Sequence, residues 1–189
     1  MSFLGKKIIH FEKIDSTQLE IFRRLEKNTI ENGTIISADI QINGIGTHGK
    51  IWKTDEQNNI AFSFLIEPDC DISKLEGMTI EIAEVILEVF EKMYNIKLQI
   101  KLPNDIVING KKIGGILTQT KLKGENVKYI VIGIGINTNK MQFSDDIKEI
   151  ATSIKKEFGI NIDNQKFINE FCDLFEEKII KRIGKKLWK

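Results

Sequence analysis

Residues 101–117, Lys-Leu-Pro-Asn-Asp-Ile-Val-Ile-Asn-Gly-Lys-Lys-Ile-Gly-Gly-Ile-Leu, constrain the fold more than any other stretch of the sequence. Two runs rich in β-branched residues flank Asn109-Gly110, the pair best suited to the positive φ angles of a type I′ turn. The spacing predicts a hairpin that carries Lys101, Asn104, Asp105 and Lys112. Gly114-Gly115 leaves room beside it for close approach to the backbone. Residues of equal parity share a strand face, so Lys101 and Asp105 are expected on one side and Asn104 on the other. Pro103 can change that by forcing a bulge or an edge. Two amines, an amide and a glycine pair suit a bound carboxylate or phosphate. A solvated lysine-rich hairpin is the alternative that this segment alone leaves open.

A chain of 189 residues is long enough for one domain with a real core, and a single domain over 1–189 is expected. With 41% hydrophobic and 29% charged residues the composition is that of an ordinary soluble globular protein. A net charge of +1 makes no general case for nucleic acid or a membrane surface as partner. The start of the chain lacks the apolar run of a signal peptide, and no stretch is long and apolar enough to span a bilayer. Cys70 and Cys172 have no metal-ligand spacing and are expected to be reduced. These features together predict a cytoplasmic protein.

Residues 7–14 read as a short strand, and Asp15-Ser16-Thr17 as the N-cap of a helix to about residue 27 with Leu19, Phe22 and Leu25 on its apolar stripe. Asn32-Gly33 predicts a turn before a buried strand over 34–40. Gly44, Gly46 and Gly49 predict a loop over 42–51, and 59–66 a further strand. Ile80, Ala83, Ile86, Leu87, Phe90 and Met93 recur at helical spacing, which predicts a helix over 73–94. Strands at 96–108, 111–122 and 127–137 follow as a meander. From residue 143 the pattern reads helical to the end, with a break at Gly159-Ile160-Asn161. The order implies an α+β fold, a mixed β-sheet with helices packed on it.

Four segments, Asp15-Ser16-Thr17-Gln18, the stretch from Gln41 to Trp52, the hairpin, and Val131-Ile132-Gly133-Ile134-Gly135-Ile136-Asn137, come in an order and spacing that resemble the catalytic domain of biotin–protein ligases, within the biotin/lipoate ligase superfamily. The resemblance covers roughly residues 8–178. It implies an ATP-dependent, AMP-forming enzyme that converts biotin to biotinyl-5′-adenylate. The enzyme then transfers biotin to a lysine on the carrier domain of a biotin-dependent carboxylase. ATP, with Mg2+, would be the co-substrate. Neither the N-terminal DNA-binding domain of some members nor the C-terminal barrel of most is expected in this chain. The oligomeric state, a homodimer among the options, stays open.

By the resemblance, Lys112 bridges the biotin carboxylate and the phosphate and is the expected catalytic residue. Ser16, Thr17 and Gln41 match residues around the ureido ring, whose one carbonyl and two N–H groups suit hydroxyl and amide side chains, and Gln18 beside them belongs to the expected biotin site. Gly44, Ile45, Gly46, Thr47, Gly115, Leu117 and Gly133 complete the expected biotin site. Lys101, Asn104, Asp105, His48, Lys50, Trp52 and Asn137 are assigned to ATP and its phosphates, with Asp105 the candidate contact to a phosphate-bound metal. Plain structural alternatives stand beside these roles. Ser16 and Thr17 can simply cap a helix, Lys101 and Asp105 can form a hairpin ion pair, and Trp52 can anchor its loop on the core. The loop departs from the family pattern, which has arginines where this chain has Ile45, Thr47, His48 and Lys50. Gly-x-Gly-x-x-Gly at 44–49 is no dinucleotide fingerprint, because no convincing helix follows it. A lipoate-type ligase or transferase, and a non-catalytic biotin or adenylate binder, are the alternative functions.

Overall fold

The computed structural model describes residues 3–54 and 59–183, which form one mixed sheet with helices on both faces. The strands are β1 (Ile8–Ile14), β2 (Ile35–Ile45), β3 (Ile51–Thr54), β4 (Ile60–Ile66), β5 (Gln99–Lys101), β6 (Asp105–Ile108), β7 (Lys111–Lys123) and β8 (Asn126–Ile136). The helices are α1 (Thr17–Glu26), α2 (Met78–Tyr94), α3 (Ile154–Phe158) and α4 (Asn164–Ile183). The sheet order is β1-β2-β4-β8-β7-β6-β5, with β3 folded against β2. β1 and β2 run parallel through the α1 connection, and the other neighbours are antiparallel.

Strand alternation divides two cores. Phe62 and Phe64 of β4 and Ile132 and Ile134 of β8 enter the larger core beneath α2 and α4. There Phe62 meets Phe171, and Phe64 meets Phe175, edge to face. Leu65 and Val131, one step out of phase, point the other way and bury against Ile21 of α1 and Ile36 of β2. Farther along β8 on this second face, alternation brings Gly133 and Gly135, and the neighbouring strands offer Ser63 and Gly115. Bulky side chains are thus missing from the sheet just beyond the N-terminus of α1, and a cleft opens there.

The α+β mixed sheet is the expected architecture, but several local expectations need correction. The strand expected over 96–108 is two strands, β5 and β6, joined by a turn at residues 102–104 that contains the cis Leu102–Pro103 peptide. The stretch 42–51 is mostly ordered: β2 continues to Ile45, a 3-10 turn covers Thr47–Gly49, and β3 returns alongside. The long helix starts at Met78 rather than 73, because Gly77 at φ 74° breaks it from a 3-10 turn capped by Asp71. Residues 143–153 are not helical. They make turns, and then the backbone of Ile150 and Thr152 bonds to Lys112 on β7. The terminal helix is described to Ile183, and its expected extension over 184–189 lies outside the described residues. On α1 the buried face is Thr17, Gln18 and Ile21, joined by Phe22 and Leu25, and Leu19 stays partly exposed.

Candidate functional site

The cleft beyond α1 is open to solvent at one side and polar at its deep end. Ser16 caps α1 by accepting from the Leu19 N–H, which uses an oxygen lone pair and leaves the hydroxyl proton to donate. Asp15 steadies this cap by accepting from the Ser16 N–H at 2.7 Å, and Arg23 grips Asp15 through two hydrogen bonds. Gln41 Oε1 accepts from Thr17 N at 2.8 Å and from Thr17 Oγ1 at 3.0 Å. A backbone N–H cannot accept, so the Gln41 amide is oriented with Nε2 as the group it can offer a ligand. Since the Thr17 proton goes to Gln41, Ser63 Oγ donates to Thr17 Oγ1 at 2.8 Å and keeps its own lone pairs.

Gln18 is oriented the opposite way. Its Nε2 donates to the Val131 carbonyl at 3.3 Å and to Gln119 Oε1 at 3.0 Å. Its Oε1 is buried without a hydrogen-bond partner, and the residue is only 3% exposed. That oxygen points over Gly133, where an added Cβ would sit 2.6 Å from it. The deep end thus presents fixed donors, Ser16 O–H and Gln41 N–H, and fixed acceptors, Gln18 Oε1 and Ser63 Oγ.

At the other end of the cleft Lys112 Nζ lies 2.6 Å from Asp105 Oδ1. The hairpin turns at Asn109 (φ 50°) and Gly110 (φ 77°), as a type I′ turn requires. The bulge expected at Pro103 lies instead on β7. Asp105 opposes Gly115 and Ile106 opposes Gly114, but Val107 opposes Lys112, so Ile113 is an extra residue. This slip turns Lys112 onto the same face as Asp105 and Gly115, whereas regular pairing would send it to the opposite face. Asn137 N holds the bulged Ile113 carbonyl at 2.7 Å. Asn104 lines the cleft and fixes its side chain on the Ile116 carbonyl at 3.0 Å.

Trp52 lies across Gly135, where a Cβ would meet the indole at 2.4 Å, and Lys112 Nζ is 5.8 Å from its ring centre. The ring divides the cleft from a second, open cavity, which shares Gly46, Thr47, Trp52 and Lys112 with it. Phe143, Ile147 and Ile150 form the apolar far wall, and Lys50, Asn137 and Lys140 also border it.

Ser16, Thr17, Gln18, Gln41, Ile45, Gly46, Thr47, Trp52, Asn104, Lys112, Gly115, Leu117 and Gly133 converge on the cleft, and Lys50 and Asn137 on its neighbour. Three expected site residues line neither cavity: Gly44, Lys101 and Asp105, the last of which reaches the cleft only through Lys112. Gly44 packs against the Trp52 carbonyl, where a Cβ would sit 2.3 Å away, so its place is in strand packing. Lys101 is exposed on β5 opposite Asp105 and borders neither cavity, because Asp105 pairs with Lys112 instead. The Asn137 amide nitrogen is engaged by the Thr152 carbonyl at 3.2 Å. The side chain of His48 lies outside the described ones. Sequence reasoning missed Ser63, inside an unbroken buried strand, and the wall from Lys140 to Ala151, whose pattern reads as helix from residue 143. Among the described residues no group of three or more His, Cys, Asp or Glu forms a metal cluster, and no helix is long and apolar enough to cross a membrane.

The bifunctional ligase/repressor BirA of Bacillus subtilis is 34% identical over 177 residues, covering 93% of this chain and 54% of that protein. Biotin–protein ligase 2 of Arabidopsis thaliana is 30% identical over 165 residues, covering 80% of this chain and 49% of that protein. The chain therefore spans about half the length of these relatives. The solved structure of biotin protein ligase from Aquifex aeolicus in complex with biotin and ATP superposes with a TM-score of 0.77 at 26% identity, over 97% of this chain and 74% of that one. The profile of the biotin/lipoate A/B protein ligase family matches residues 10–137, and the chain belongs to that family.

Proposed function

We propose that residues 1–189 act as a single catalytic unit of a biotin–protein ligase, working in the cytoplasm. The unit activates biotin with ATP and passes the biotinyl group to a lysine of a biotin carboxyl carrier domain. The observation that carries the reading is the fixed hydrogen-bond polarity of the deep cleft. A cyclic urea offers one acceptor and two donors, which complement Ser16 and Gln41 on one side and Gln18 Oε1 and Ser63 on the other. The dithiolane of a lipoyl group carries no N–H and would leave the Gln18 oxygen unpaired, at a cost of about 1–3 kcal/mol. The polarity therefore favours biotin within a family that handles both.

A ring held there directs its carboxylate tail toward Lys112. In the first step a carboxylate oxygen attacks the α-phosphorus and the bond to pyrophosphate breaks. Lys112 offsets the repulsion between the two anions at the point of attack. The cavity behind Trp52, with an apolar wall and cationic borders, suits the base and phosphates of the nucleotide. In the second step the carrier amine attacks the acyl carbon and AMP departs with the bonding pair. Asp105 would be the residue offering a carboxylate to a Mg2+ ion at the phosphates. The chemistry such an ion would supply is partial neutralisation of phosphate charge.

The test is pyrophosphate release with ATP and either biotin or lipoate, followed by transfer to an isolated carrier domain. Pyrophosphate with biotin and not lipoate is the expected result. Release with lipoate alone would establish the lipoyl reading, and tight biotin binding without pyrophosphate would establish a non-catalytic binder.

A further inference from the structure

Gln119 belongs to none of the segments that mark the family, yet it touches the buried amide at the bottom of the cleft. It stands directly across from Val131 in the pairing of β7 with β8, on the face that α1 covers. The Gln119 side-chain oxygen and the Val131 carbonyl therefore lie side by side, and Gln18 Nε2 donates to both. An amide nitrogen has two protons, so this pair satisfies it fully. Rotating the Gln18 amide by half a turn would place its oxygen against the Val131 carbonyl, which can only accept. The two partners thus lock the oxygen in the only orientation that faces Gly133, where it has no protein partner.

We propose that Gln119 is a positioning residue for substrate recognition. It holds the Gln18 amide so that the cleft demands an N–H donor from the ligand ring. The proposal rests on the biotin reading above and deepens it, because it names the side chain that makes the ring N–H obligatory. Gln119 touches no ligand and acts through Gln18. Val131 alone leaves one Gln18 N–H without its protein partner, and the amide is then held less firmly. Discrimination against a ring that lacks the N–H falls with it.

The experiment compares biotin with biotin methylated on a ring nitrogen, by calorimetry on the unmodified chain, Gln119→Leu and Gln119→Glu. The unmodified chain is expected to prefer biotin strongly. Gln119→Leu should weaken biotin by roughly five- to tenfold, the worth of one net hydrogen bond, and shrink the preference over the methylated ring. Its ATP affinity should stay unchanged. Gln119→Glu retains an acceptor for Gln18 Nε2 and should restore both the affinity and the preference, which a general loss of strand stability would not do. Equal biotin affinity and equal preference in all three proteins would overturn the role of Gln119 while leaving the biotin reading intact. Failure of the unmodified chain to bind biotin would overturn both.

Discussion

Lys112 Nζ stands 2.6 Å from Asp105 Oδ1 because β7 carries one extra residue, Ile113, between Lys112 and the glycine pair. The slip puts cation and carboxylate on one face at the junction of two cavities. Backbone bonds from Lys112 to Ile150 and Thr152 hold the strand there independently of the side chain. Lys112→Ala should therefore leave the fold intact while slowing adenylate formation by about a hundredfold or more, on the order of 3 kcal/mol in the activation barrier. Pyrophosphate release at the normal rate in this variant would remove Lys112 from the chemistry.

Gln41 is tied to both the N–H and the hydroxyl of Thr17, and its Nε2 remains for the ligand. Gln41→Ala should weaken biotin by about 1–3 kcal/mol, the cost of an unpaired buried polar group, without changing ATP affinity. Calorimetry with each ligand separately decides it, and unchanged biotin affinity would exclude Gln41 from the site.

Thr47 opens the 3-10 turn that borders both cavities, and its side chain brings no charge to the junction. A guanidinium at this point can hold phosphate oxygens with two hydrogen bonds, which a hydroxyl cannot. Thr47→Arg should slow the release of biotinyl-adenylate, measured by chasing bound intermediate with excess biotin. Release that is already slow and is unaltered in Thr47→Arg would show that another segment closes the site.

The clamp behind Ser16 should appear as acid sensitivity. The hydrogen bonds from Arg23 hold the Asp15 carboxyl at about 2, below its ordinary 3.8. A carboxyl depressed on folding contributes stability that is complete above about pH 4 and is lost as the pH falls through about 2. The pair is partly exposed, so its contribution is modest. Asp15→Asn should flatten the fall in melting temperature between about pH 4 and pH 2. It should also weaken biotin at neutral pH, because the Ser16 cap loses its charged brace. An unchanged acid limb would place the acid sensitivity in other carboxylates.

Local chemistry made several features legible in the sequence. Asn109-Gly110 specifies two positive φ angles, Ser16 specifies a helix start, and alternation along β4 and β8 specifies strands with two buried faces. These are short-range preferences, written in adjacent residues, and the motif order built on them led to the family. The aim of Lys112 depended on a one-residue slip that no propensity marks, because register is settled by what both strands bury. The tie from Gln18 to Gln119 spans 101 positions, and Ser63 meets Thr17 only because α1 lies across β4. The helical pattern of 143–153 lost to backbone bonds offered by Lys112. The sequence by itself thus determined which elements form and which chemical groups are at hand. Tertiary structure alone decided which way each group points, since hydrogen-bond direction and strand register are set by partners far away in the chain.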